Sequence, residues 1–199
     1  MIDPIVITAP TVEPVSVTEL KAHLRLDFDD EDTLLEPYLQ VAREYVEGRT
    51  RRTLHQTTLE YFLDRFPCGP LYLPQASPLI SVTGAWYKNS GGTETEWTGF
   101  VTDTSNEVGS IRPAYGSTYP SYTPYPVNSV RIRYIAGIAN ASPQTYPRET
   151  IRHAIKLLAG GLYEHRESET IPDARGVEII SFQYGVETLL TMNQVKWAF

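Results

Sequence analysis

The chain has 199 residues, of which 41% are hydrophobic, so it can bury one sizeable core or a core with an inserted subdomain, and its composition excludes a disordered chain. Its net charge of −7 argues against tight, sequence-independent DNA binding, which depends on Lys and Arg displacing counterions from phosphates. One cysteine excludes an intrachain disulfide, and the lack of any run near 18 apolar residues predicts a cytoplasmic product without a membrane span.

Two helices are predicted near the N-terminus. Ser16 and Glu19 form a capping box, and Leu20 and Leu24 follow at helical spacing. A longer helix over 31–47 comes next, because its apolar residues recur at i, i+3, i+4 and i+7. These residues are Leu34, Leu35, Tyr38, Leu39, Ala42, Tyr45 and Val46.

The acidic run DFDDED, residues 27–32, precedes this second helix. Counted from Asp27, the sequence does not match a calcium-binding loop. Its sixth position is aspartate instead of glycine, and its twelfth is tyrosine instead of glutamate. We interpret the run as a helix N-terminus, where negative charge meets the positive end of the helix dipole. Arg49, Arg51 and Arg52 lie at the other end, where cations are favoured, and we predict a second role for them at an acidic partner surface.

From 57 to 137 the hydrophobic period changes to two. Four segments rich in β-branched and aromatic residues predict strands of an antiparallel sheet or small barrel. They are TTLEYFLDRF, LISVTGAWYKN, TETEWTGFVTD and VNSVRIRYIAG. KNSGGTE, between Trp86 and Trp97, predicts a hairpin turn, because Asn and Gly tolerate positive φ angles. The two tryptophans alternate on strands, which favours packing into a core.

A loop rich in tyrosine and proline spans 112–127, RPAYGSTYPSYTPYPV. It is longer than a hairpin needs, and such loops in compact domains are usually functional or disordered. Tyrosine offers a large contact area at low entropic cost, so Tyr115, Tyr119, Tyr122 and Tyr125 are candidate partner-binding residues. The alternative is a surface loop that packs on its own chain.

Helical periodicity returns in the C-terminal part, 147–191. A helix over 148–165 is predicted from one apolar stripe, and Gly160 and Gly161 within it predict a closely packed neighbour. A last short helix is predicted in YGVETLLTM, residues 184–192.

The tail, 192–199, carries Val195, Trp197 and Phe199 at alternating positions. This pattern suits an added strand or an aromatic anchor, so we predict Trp197 and Phe199 as partner-binding residues. The alternative is that they pack on their own subunit.

The predicted fold is α+β, a small helical bundle formed by the N- and C-terminal parts with an inserted antiparallel β subdomain. The parts are 14–56, 57–137 and 147–191, followed by the tail. Cys68 lies in a turn, the histidines lack metal-ligand spacing, and no phosphate loop or nucleophile elbow is present. We therefore predict no catalytic residue, no metal site and no cofactor, hence no enzyme.

Four segments together resemble the head-tail connector, or adaptor, proteins of long-tailed bacteriophages, prophages and related gene-transfer particles. They are PVSVTELKAHLRLDFDDEDTLLEPYLQVAREYVEGRTRRTL, LPQASPLISVTGAWY, YPRETIRHAIKLLAGGLYEHRES and YGVETLL. The resemblance covers about residues 14 to 191. It does not extend to a role for the long Tyr/Pro loop.

The resemblance implies a structural virion protein at the head-tail junction, made in the host cytoplasm. It implies a ring, of twelve subunits in this family, that joins the portal protein to a stopper or tail-completion protein. DNA would pass through without specific binding, and the C-terminal tail would become ordered on the portal. The rival from another class is a β-rich carbohydrate-binding or accessory domain that uses the Trp and Tyr side chains.

Overall fold

The computed structural model describes residues 3–138, 148–164 and 178–196. The described chain forms two compact units, one from residues within 1–11 and 51–142, the other from residues within 12–50 and 143–199. Within the described residues, the first unit contains eight β-strands and the second contains four helices. The predicted α+β class is therefore confirmed, and the partition of the chain into four parts remains a prediction.

The helical unit begins with α1, Val17–Leu24, and α2, Asp32–Thr50, and it ends with α3, Glu149–Glu164, and α4, Glu178–Asn193. As predicted, α2 packs along α3; α1 and α4 each contact both of these helices. The stripes at helical spacing form the core, because their side chains are almost fully buried. The buried residues include Leu20, Leu35, Leu39, Val46, Ile151, Ile155 and Leu190.

The capping box predicted for α1 is present. The backbone N–H of Ser16 donates to Glu19 Oε2 at 3.0 Å, and the N–H of Glu19 donates to Ser16 Oγ at 3.2 Å. Glu19 also accepts a hydrogen bond from Arg152 of α3. The carboxylate that caps α1 therefore also joins α1 to the C-terminal part of the chain.

The last helix is longer than predicted and the start of the tail is packed. Instead of beginning at 184, α4 begins at Glu178. Asn193 and Val195 are buried, and the Val195 N–H donates to the Thr50 carbonyl at 2.9 Å. The expectation of a tail that is free from residue 192 onwards is wrong up to this point, because Val195 covers the end of α2. Trp197 and Phe199 lie outside the described residues.

The β unit contains two antiparallel sheets. The five-stranded sheet has the order β1-β2-β8-β4-β5 and the three-stranded sheet the order β3-β7-β6. The strands are β1 Ile5–Thr8, β2 Thr57–Leu63, β3 Leu71–Tyr72, β4 Leu79–Lys88, β5 Glu94–Glu96, β6 Phe100–Asp103, β7 Ser110–Pro113 and β8 Val130–Ala136.

Five of the described strands differ from the prediction. Strand β1 precedes the helices in the chain yet pairs with β2, so the sheet is not made from the inserted segment alone. The segment TETEWTGFVTD contains two strands in different sheets. Its first strand, β5, pairs with β4, and its second strand, β6, pairs with β7. The short strands β3 and β7 were not predicted. The hairpin between β4 and β5 is confirmed, and Gly92 adopts φ +82° within it.

The core of the β unit lies against alternate residues of β8. Val130, Ile132, Tyr134 and Ala136 have no exposed surface, whereas the residues between them are partly exposed. The Tyr134 hydroxyl donates to the Pro74 carbonyl at 2.5 Å, and burial raises the pKa of Tyr134. This pattern is the period-two alternation expected of a half-buried strand.

Replacing Gly160 should test the close contact between α3 and α1. A Cβ at Gly160 would lie 3.2 Å from Leu24 Cδ2, so Gly160→Leu should lower the free energy of unfolding by ~1–3 kcal/mol through overpacking. Gly48→Ala in α2 is the control, because a Cβ there meets nothing within 4 Å and should stabilise by up to ~1 kcal/mol. Urea denaturation measures both; a Gly160→Leu protein as stable as the wild type would contradict the packing.

The Glu19 carboxylate should make stability pH-dependent. Its hydrogen bond from the Ser16 backbone, aided by Arg152, lowers the pKa of Glu19 below 4.5. The stabilisation of the fold by the ionised Glu19 carboxylate is therefore complete above about pH 4.5. It is lost as the pH falls through the folded-state pKa of Glu19. Glu19→Gln keeps the cap but removes the charge, so it should lower the free energy of unfolding by ~0.2–1 kcal/mol at pH 7.

The difference between wild type and Glu19→Gln should narrow in urea titrations below pH 4.5. Glu36→Gln is the matched control, because Glu36 is exposed on α2, and it should leave stability unchanged at both pH values. A Glu19→Gln deficit that is the same at pH 3 and pH 7 would show that its carboxylate charge is not the cause.

Candidate interface surfaces

The middle of the Tyr/Pro loop is anchored to its own unit. The Tyr119 hydroxyl donates to the Gly69 carbonyl at 2.8 Å, and the Tyr122 hydroxyl lies 2.9 Å from Ser129 Oγ. The Tyr119 ring stacks on Phe66 with a centroid distance of 5.0 Å, and Tyr122 packs on Tyr87 at 4.7 Å. The self-packing alternative therefore describes these two tyrosines in the free chain.

The other two tyrosines of the loop face solvent. Tyr115 is completely exposed and follows directly on the end of β7, while Tyr125 is 40% exposed. The Lys88 ammonium lies 5.3 Å from the centroid of the Tyr125 ring, and the Tyr125 N–H donates to the Lys88 carbonyl at 3.1 Å. The backbone at Tyr125 is thus fixed while part of its ring remains accessible, as an interface residue requires.

An open groove of about 500 Å³ runs between the loop and the segment that follows β2. Its lining consists mainly of aromatic and proline rings, with Arg65 as its charged residue. Because the tyrosines in its wall are held by the hydrogen bonds described above, the groove is formed in the free chain.

The three predicted arginines have different environments. In the helical unit, Arg49 has a half-exposed side chain and pairs with Glu187 of α4. In the β unit, Arg51 is exposed and has φ +57°. Arg52 is buried: Nη1 donates to Ser77 Oγ at 2.9 Å and Nη2 pairs with Glu107. Arg52 therefore stabilises its own unit, and Arg49 and Arg51 keep charge at an accessible surface.

The acidic run marks the start of α2, as predicted, and it also ties helices together. Lys21 of α1 pairs with Asp29 and with Asp32, the latter at 2.9 Å. Glu31 accepts a hydrogen bond from Tyr163 of α3. The hydrogen bond to Lys21 lowers the pKa of Asp29. The carboxylates thus act at the helix terminus and as partners of two neighbouring helices.

Among the described residues, no group of three or more His, Cys, Asp or Glu side chains is placed to hold a metal ion. Within the same residues, no helix is long and apolar enough to cross a membrane. Cys68 is exposed and unpaired with another cysteine.

The two tryptophans of the β unit, Trp86 and Trp97, are engaged within that unit. Trp97 is 6% exposed and packs against Phe66 at 5.1 Å, so its predicted core position is confirmed. Trp86 is partly exposed, but its ring lies over Gly84, where a Cβ would be 2.1 Å from the ring. The Arg131 guanidinium lies 4.1 Å from the centroid of the Trp86 ring. Neither ring presents the open aromatic platform that sugar stacking would need.

The charges around Trp86 form a closed network. Glu60 is 7% exposed and accepts from Arg131 Nη1 at 3.0 Å and from Arg133 Nε at 3.1 Å. Arg131 also donates to Glu94 at 2.7 Å, and this hydrogen bond lowers the pKa of Glu94. These cations are therefore committed to the fold and offer little to an external phosphate or carboxylate.

Comparison with known proteins identifies the class. The family model described as "Phage gp6-like head-tail connector protein" matches residues 14–111. Over 100% of this chain, the fold matches 98% of a chain in the neck of an empty gene transfer agent (GTA) particle computed with C6 symmetry, with a TM-score of 0.76 and 25% identity. Residues 14–111, about half of this chain, match the head-tail connector family, and together with the fold match this supports a structural connector role. The resemblance of the four sequence segments to this family is thus confirmed.

Two further structures have the same fold as this connector. A chain in the virion of a native gene transfer agent particle matches with a TM-score of 0.76 and 25% identity, again over 100% of this chain and 98% of that one. A chain in the neck of a native GTA particle computed with C12 symmetry matches with a TM-score of 0.67 and 23% identity over the same shares. No curated protein sequence matched the connector.

Sequence reasoning missed one exposed surface of the connector, the strand β1. Ile5, Val6 and Ile7 are 45–55% exposed although all three are large and apolar. The signal was present as four β-branched residues in succession, IVIT. It lacked the alternation of a half-buried strand, because both faces of β1 are exposed.

Substitutions in the Tyr/Pro loop should separate its anchored tyrosines from its exposed ones. Tyr119→Ala removes the stacking on Phe66 and a hydrogen bond, so it should lower the free energy of unfolding by ~2–4 kcal/mol. Tyr115→Ala should change it by less than ~0.5 kcal/mol, because the side chain is fully exposed. Denaturant unfolding measures both. Equal losses for the two variants would show that the anchoring described above is incorrect.

Proposed function

We propose that copies of this connector form a closed ring at the head-tail junction of a virion, between the portal of the DNA-filled capsid and the stopper or tail. The observation that carries this proposal is the match over the whole chain to proteins in the neck and virion of gene transfer agent particles. A match of this extent includes both units, so it supports the role for the complete architecture. The connector family supports it independently.

The proposed ring has twelve subunits. The matched necks were computed with C6 and with C12 symmetry, and twelve copies satisfy both. A cyclic ring needs two different surfaces on each subunit that meet head to tail. It needs no reactive group, which agrees with a fold whose described carboxylates and arginines are largely paired with each other.

DNA would pass through the ring without being held. The charge of −7 per chain opposes condensation onto phosphates, and Arg131, Arg133 and Arg52 are paired with carboxylates of their own unit. A conduit benefits from this arrangement, because each cation free to release counterions from DNA would retard passage.

The surfaces proposed for the portal and the stopper are the exposed aromatic and cationic side chains. Tyr115 and Tyr125 offer ring area at the surface of the β unit, and Arg49 and Arg51 keep accessible charge. Trp197 and Phe199 lie two and four residues beyond the buried Val195 in the sequence. This aromatic pair is the proposed anchor on the portal, because large aromatic side chains are typical of residues that dominate the binding free energy of an interface.

Deleting residues 197–199 tests the proposal without disturbing the fold, because the deletion spares Asn193 and Val195. The truncated chain should keep its unfolding midpoint and lose attachment to portal-bearing capsids by at least ~30-fold, the factor for an aromatic anchor worth ~2 kcal/mol. Cosedimentation with capsids measures attachment, and native mass spectrometry of released necks counts subunits. Lys196→Ala is the control and should attach normally.

Two results would contradict this account. Unchanged attachment of the truncated chain would exclude the tail as the portal anchor. Failure of the full-length chain to attach to portal-bearing capsids, or its recovery from necks in any form other than a ring, would exclude the connector assembly itself.

A further inference from the structure

The β unit has four free strand edges within the described chain. The five-stranded sheet ends at β1 and β5, and the three-stranded sheet ends at β3 and β6. Each of these strands pairs on one side only. The unpaired N–H and C=O groups of an edge are a template for a strand from another chain, unless the edge is short, charged or covered.

Strand β1 is an apolar edge. Ile5 and Val6 are each 55% exposed and Ile7 is 45% exposed. No charged residue or proline occurs within the strand, so it lacks two of the devices that commonly protect edges. Three large apolar side chains in succession on an open edge are unfavourable in water and are typical of a surface that another protein covers.

Strand β6 is the edge that matches β1. It has four residues, as β1 has, and Val101 at its second position is 52% exposed. Its one charge, Asp103, is already satisfied: it accepts from the Ser105 N–H at 3.0 Å and from Asn106 Nδ2 at 2.5 Å. The hydrogen bond from Ser105 lowers the pKa of Asp103.

The other two edges are poor receivers. Strand β3 has only two residues. Strand β5 has three, and although Glu94 is paired with Arg131, Glu96 is an exposed carboxylate on this edge. Because each copy carries −7, two copies approach most easily where neither brings an uncompensated carboxylate. This condition selects β1, which is uncharged, and β6, whose carboxylate is bound internally.

We propose that β1 of one copy adds to the β6 edge of the next copy, so that a strand junction links successive subunits. This inference rests on the proposed ring. A ring that closes by rotation needs two different surfaces on each subunit, and β1 and β6 are different strands of equal length in different sheets. Main-chain hydrogen bonds would supply the contact, and the exposed apolar side chains of β1 would cover Val101.

Disulfide trapping in assembled necks tests the junction. A chain with Val6→Cys and Val101→Cys, in a Cys68→Ser background, is assembled on portal-bearing capsids and oxidised. Opposed residues on paired strands have Cβ atoms close enough for a disulfide. The expected product is a ladder of covalent multimers on non-reducing gels that extends up to the closed ring, whereas each single-cysteine chain gives dimers at most.

A charge substitution supplies an independent test. Val6→Lys should reduce ring formation on capsids at least tenfold, because it places a cation at the centre of the junction. Val12→Lys is the matched control, since Val12 is 48% exposed and lies outside the strands, and it should assemble normally. Thermal melting of both free chains shows whether the fold is retained, and the disulfide experiment decides if Val6→Lys unfolds.

The outcomes separate this inference from the proposed function. Rings that form normally but give no ladder, or a disulfide confined to single chains, would overturn the β1–β6 junction and leave the connector ring standing. Normal assembly of a folded Val6→Lys chain would overturn it as well. Absence of rings from necks that contain the wild-type chain would overturn both.

Discussion

The pairing of β8 with β2 on one side and β4 on the other is the contact on which the β unit depends. Thr57 at the start of β2 lies opposite Ala136 at the end of β8. The pairing of β8 with β2 therefore brings the two ends of the segment 57–136 together. Its inward residues are fully buried, and its outward arginines neutralise Glu60 and Glu94. The strand therefore supplies apolar burial on one face and charge balance on the other.

The pairing of β8 within the sheet also fixes the C-terminal end of the Tyr/Pro loop. The loop leads into β8. Ser129, the residue before the strand, donates its hydroxyl proton to the Asp64 carbonyl at 2.6 Å and accepts the hydrogen bond of the Tyr122 hydroxyl. Because one end is fixed by a central strand and Tyr119 in the middle is stacked on Phe66, the loop can display Tyr115 and Tyr125 without a large entropic loss on binding. Long loops that serve as interfaces gain affinity from such pre-ordering.

Hydrophobic periodicity predicted burial correctly in helices, where the pattern is local. It did not predict burial that depends on contacts between segments distant in the sequence. The apolar stripe of α2 and the Ser16–Glu19 capping box could be predicted because each is a local sequence pattern. Nothing local distinguishes Arg52, enclosed by Ser77 and Glu107, from Arg49, which pairs at the surface. The anchored and exposed tyrosines are alike in sequence for the same reason, since a loop has no period that assigns its faces.

Strand β1 shows why motif reading says little about assembly. Catalytic and metal sites need particular side chains at particular spacings, so they leave a signature in residue identity. An edge that accepts a neighbouring strand works through main-chain groups, which every residue except proline supplies. The sequence needs only to keep the edge uncharged and to place apolar side chains there. In the fold these side chains remain exposed, as at Ile5, Val6 and Ile7. For a ring subunit the informative observation is therefore exposure that the fold leaves unexplained, and this becomes visible only when the strands have been placed.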